Sequence, residues 1–88
     1  MQKTWTIADT VAFMEVIIGN DGGRPTPEQY ASLIAQTGCT RSSAEMMAWR
    51  VQTVLGYPVG PARGITALDR ELAAIYFARD PRLRRKTA

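Results

Sequence analysis

The chain has 88 residues, which bounds it to one small domain with one small core. Apolar residues make up 45% and charged residues 22%, values that exclude wholesale disorder. Histidine is absent and there is a single cysteine, Cys39, so the commonest general base and metal ligand is missing and no disulfide can close within the chain.

The formal charge is +3, but its distribution matters more than its sum. Arg79, Arg82, Arg84, Arg85 and Lys86 are opposed locally by Asp80 alone. Residues 1–78 carry six basic and seven acidic side chains, a net of −1. The basic character therefore belongs to the C-terminal tail. The expected organisation is a single helical domain over residues 1–80 and a basic tail over 81–88. The N-terminal apolar segment is interrupted by Asp9 and Glu15 and matches neither a signal peptide nor a membrane span. A cytoplasmic protein with no membrane association is the expectation.

The first helix is predicted from Thr6 to Ile18. Thr6 and Asp9 stand at capping-box spacing. Ile7, Val11, Met14 and Ile18 share one face, yet Ala8, Ala12, Phe13, Val16 and Ile17 make the remainder apolar too. Such a helix is either central or covered by a partner. With few other helices to surround it, a homodimer seam along this helix is expected. Gly19 is expected to end it in the left-handed conformation, and residues 19–25 read as a flexible connector.

Thr26, Pro27 and Gln29 form a start signal for the second helix, with a capping box and proline at the first position. Gly38 stops it, Cys39 and Thr40 make the turn, and Ser42 is predicted to cap the third helix with Glu45 as its box partner. Cys39 is expected to pack as a small apolar side chain. Ala44, Met47, Ala48, Val51, Val54 and Leu55 fall within about 120° on the third helix and predict its core stripe. Tyr57 to Gly64 is a loop rich in proline and glycine. The fourth helix runs from Thr66, with Asp69 at its third position and Leu68, Leu72, Ile75, Tyr76 and Arg79 as its inner face. Asp80 ends it and offers a cap to a short fifth helix through Leu83. The fold class is all-α, a bundle of four helices and a short fifth, with a helix-turn-helix-like central pair.

No nucleophile–base pair, carboxylate pair, phosphate loop or metal-ligand spacing is present, so no enzymatic activity, cofactor, metal or small-molecule substrate is expected. Residues 33–47, from Leu33 through Gly38-Cys39-Thr40-Arg41-Ser42-Ser43 to Met47, resemble the helix-turn-helix unit of DNA-binding domains. That resemblance implies burial of Leu33, Thr37, Cys39, Ala44 and Met47 and entry of the third helix into the major groove. It further implies contacts to double-stranded DNA from Arg41, Ser42 and Ser43, with Arg50 on phosphate. The tail residues Arg82, Arg84 and Arg85 would add sequence-independent attraction. A small DNA-binding regulator is one expectation. The other rests on the remaining face of the third helix. There Met46, Trp49 and Thr53 form a second strip beside Arg50, the composition of a protein-docking hot spot. On that reading the chain is a small binding module or inhibitor, of the size that phages and mobile elements encode.

Overall fold

The computed structural model describes residues 3–84 and contains five helices: α1 (Ile7–Gly19), α2 (Pro27–Thr37), α3 (Arg41–Val54), α4 (Ala67–Arg79) and α5 (Pro81–Arg84). No strand occurs among the described residues, and none of the helices is long and apolar enough to cross a membrane.

Three helices start with reciprocal capping boxes: Thr6 with Asp9, Thr26 with Gln29 and Thr66 with Asp69. Each satisfies two backbone donors that the first turn would otherwise leave free. The start of α3 differs from the predicted one. Its N-cap is Thr40, whose side chain accepts from the Ser43 N–H at 3.1 Å, and Glu45 is too far along to close a box. Thr40 is already extended when the chain leaves the turn, so it takes the cap two residues before Ser42. Thr40→Ala is expected to cost about 1 kcal/mol, read as a lowered denaturation midpoint in urea. Ser42→Ala serves as the neutral control.

The end of α1 also differs. Gly19 remains helical, and the chain turns through Asp21 (φ 54°) and Gly22 (φ 90°) instead. The Asp21 N–H donates to the Ile18 carbonyl and the Gly22 N–H to the Ile17 carbonyl, which caps two open carbonyls of the last turn.

The core forms around α1, which packs against α2, α3 and α4. Phe13, Met14, Ile17 and Ile18 are buried there, and Trp5 meets Phe13 edge to face at 5.6 Å. Thr10 is fully buried and donates its hydroxyl proton to the Thr6 carbonyl, so its polarity is absorbed by its own helix. The apolar circumference that suggested a dimer seam is thus covered largely from within the chain. Ile7, 59% exposed, and the neighbouring Ala8 stand clear of the core.

The inner face of α4 is rotated from the predicted one. Asp69 and Ala73 are its buried residues, Leu68, Leu72 and Tyr76 are half-buried, and Ile75 and Arg79 are exposed. The cause is an ion pair that hydrophobic periodicity does not register: Asp69 turns inward to meet Arg50 of α3. On the α1 side, the Tyr76 hydroxyl donates to Glu15 at 2.5 Å. Burial, together with that acceptor, pushes the Tyr76 hydroxyl well above the usual phenol range, so it stays a donor. Leu83 of α5 is 1% exposed, so the folded body extends through residue 83 rather than ending at residue 80.

Candidate functional site: the outer face of α3 and its groove

The turn between α2 and α3 is built as a tight corner. Gly38 adopts φ 75° and donates its N–H to the Ile34 carbonyl. Beneath it Cys39 is buried, with the Thr37 hydroxyl 3.1 Å from its sulfur and donating to the Leu33 carbonyl at 2.7 Å. Leu33, Thr37, Cys39, Ala44 and Met47 are all buried. Any two helices packed about a short corner need such inner positions, so their burial describes the corner and not its use.

The side chains placed on DNA by the resemblance are mostly engaged with the protein itself. The Nε–H of Arg41 donates to Glu45 at 3.2 Å, and its guanidinium lies 4.2 Å from the centre of the Tyr30 ring. It leans toward Tyr30 of α2 while its side chain remains 54% exposed. Ser43 is taken up in the cap, with its hydroxyl 3.0 Å from that of Thr40. Arg50 is largely buried, and its Nη2 and Nε lie 2.6 and 3.2 Å from Asp69 Oδ2, so it is a structural cation and not an outward contact in either reading. Arg82 is held by Asp80 through two nitrogens and lies 3.8 Å from Glu15. Its hydrogen bonds hold the Asp80 carboxyl below the usual carboxylate range. Ser42 remains exposed. The side chain of Arg84, and Arg85 and Lys86 with it, lie outside the described residues.

The second strip divides. Met46 is 50% exposed and Trp49 38%. Thr53 does not belong with them as a docking residue. Its hydroxyl donates to the Trp49 carbonyl and accepts from the Ala62 N–H at 3.1 Å. The Trp49 indole N–H donates to the Gly60 carbonyl. Residues 49 and 53, one turn apart, therefore fasten the proline-rich loop onto α3 at residues 60 and 62. The loop enters and leaves through left-handed glycines, Gly56 (φ 82°) and Gly64 (φ 78°).

Fastening that loop creates a groove of about 610 Å³ along α3. Met46, Trp49 and Glu45 supply the helix side, Tyr30 comes from α2, Val59 and Gly60 from the loop, and Arg24 from the turn after α1. Its volume lies in the range of about 300–1,000 Å³ that ligand clefts occupy. Arg24, Tyr30 and Val59 were not legible as site residues, because nothing local marks a residue in one loop as the neighbour of a helix elsewhere. The loop bearing Arg24 is also not the free connector its composition suggests. Asn20 and Gln29 form a reciprocal amide pair at 2.7 and 3.3 Å, Asn20 also donates to the Arg24 carbonyl, and buried Gln52 donates to the Gly22 carbonyl at 2.8 Å.

Among the described residues, no group of three or more His, Cys, Asp or Glu side chains is placed to hold a metal ion. No protein-family model, no curated protein and no solved structure matches this chain.

Proposed function

We propose that the protein is a small, non-enzymatic protein-binding module that docks a segment of its partner in the groove between Met46, Trp49 and Tyr30. The observation that carries this reading is the half-exposed Met46/Trp49 pair on a wall that is already rigid. Tryptophan, tyrosine, methionine and arginine are the residue types enriched where protein interfaces concentrate their binding energy. Trp49 is held by its indole N–H, so docking against its ring costs little further side-chain ordering. The DNA reading rests on the resemblance of the corner between α2 and α3, whose inner positions any two packed helices would bury. Of the arginines it needs, Arg50 is buried against Asp69, and Arg41, though exposed, is paired with Glu45, which places a carboxylate beside it.

The test is a selection of random short peptides on the full chain, set beside a titration with random-sequence duplex DNA at low salt. Selected peptides are expected to bind the wild type and to lose at least about tenfold in affinity to Met46→Glu, whose buried half is small enough to leave the melting temperature nearly unchanged. Duplex binding that weakens in Arg41→Ala, with no peptide sensitive to Met46→Glu, would replace docking by DNA recognition.

A further inference from the structure

The charges around the groove narrow what can occupy it. Glu45 is paired with Arg41, so those two cancel at the helix rim. Arg24, at the loop rim, is exposed and its guanidinium makes no ion pair with any described residue. The loop beneath it is pinned through Asn20, Gly22 and Gln29, so this uncompensated cation is presented from a fixed backbone. Tyr30, between the two arginines, already carries Arg41 over its ring.

We propose that the groove takes a partner peptide segment carrying a carboxylate that pairs with Arg24, next to an apolar side chain seated against Met46 and Trp49. This rests on the protein-docking reading above and adds the chemistry of the partner. A guanidinium whose backbone is held in place can donate two parallel hydrogen bonds to a carboxylate. A polyphosphate backbone is a poorer fit, since nucleic-acid affinity comes from several cations acting together and this rim offers one. Charge pairing of this kind raises association rates and fixes the direction in which a segment lies.

The peptide selection described above also tests this inference, read now for sequence. Selected peptides are expected to share an Asp or Glu at constant spacing from an apolar residue. Labelled synthetic copies, titrated by fluorescence anisotropy, are expected to bind Arg24→Gln about tenfold more weakly, with affinity falling as salt rises. Arg24→Glu is expected to lose more, and to regain binding when the acidic residue of the peptide is replaced by lysine. Because Arg24 is exposed, circular dichroism of both variants is expected to match the wild type. Peptides that depend on Met46 but share no acidic residue, or that bind Arg24→Glu as well as the wild type, overturn the carboxylate and leave docking standing. A selection that returns nothing sensitive to Met46→Glu overturns both.

Discussion

Gly22→Ala is expected to destabilise the fold by about 3 kcal/mol, the largest effect of any glycine-to-alanine change in this protein. Two causes add. Gly22 sits at φ 90°, where a side chain is strained. A Cβ there would also fall 2.3 Å from Cδ1 of Tyr57 and 2.7 Å from two further ring carbons. Tyr57 is 6% exposed and its N–H donates to the Gln52 carbonyl, so the ring is not a flexible end that can swing aside. Gly38→Ala separates the two causes. Gly38 has φ 75°, but a methyl group there would meet nothing within 4 Å, so only the backbone strain of about 1–2 kcal/mol applies. Urea denaturation of the two variants reads the difference. Equal losses would show that the Tyr57 ring yields. For a domain this small, about 3 kcal/mol is a large share of a margin near 5 kcal/mol, so Gly22→Ala is also expected to melt well over 10 °C lower.

Asp69→Ala is expected to cost about 3–5 kcal/mol, because it strands the Arg50 guanidinium in a largely buried position and removes the acceptor for the Thr66 N–H. The pair itself is not a source of surplus stability. Asp69 is 1% exposed, one of its oxygens receives Arg50 and the Thr66 N–H together, and the other, Oδ1, has no hydrogen-bond partner among the described residues. An unpartnered buried oxygen costs about 1–3 kcal/mol. The double replacement Arg50→Met with Asp69→Leu is therefore expected to recover most of what the single change loses. A full cycle, with Arg50→Met as the fourth corner, measures the coupling. A loss below about 1 kcal/mol in Asp69→Ala would show that the pair does not hold α4 in place. The same cycle bears on function. A protein that keeps its fold and peptide binding without Arg50 confirms the structural role of that arginine. Loss of binding in the folded double variant would return Arg50 to the site.

The readings that survive contact with the structure depend on residues close in the chain. The boxes at Thr6/Asp9, Thr26/Gln29 and Thr66/Asp69 need only a spacing of three, and Pro27 and Gly38 act on their own dihedral angles. The core stripe of α3 follows from helical periodicity: Ala44, Met47, Ala48, Val51 and Leu55 are buried, and Val54 is half-buried at its edge. Where local signals compete, they mislead by two or three residues. Thr40 and Ser42 both suit a cap, and Gly19 and Gly22 both suit a helix end. The backbone path into the neighbouring element chooses between them.

What the chain alone determined is its class: an all-helical body with the starts of α1, α2 and α4, its tight Gly38 corner and the buried stripe of α3. Tertiary structure decided the rest, because the deciding partners are far apart in sequence and none is implied by its own neighbours. Gln52 reaches Gly22, Arg50 reaches Asp69, Trp49 reaches Gly60 and Glu15 receives Tyr76. Periodicity scores side chains as apolar or polar. It therefore put Ile75 on the inner face of α4 and left Asp69 off it, whereas Asp69 is buried against Arg50 and Ile75 is exposed. The groove beside Met46 and Trp49 is likewise a product of two loops brought against one helix, and the cation at its rim, Arg24, acquires meaning only from that placement.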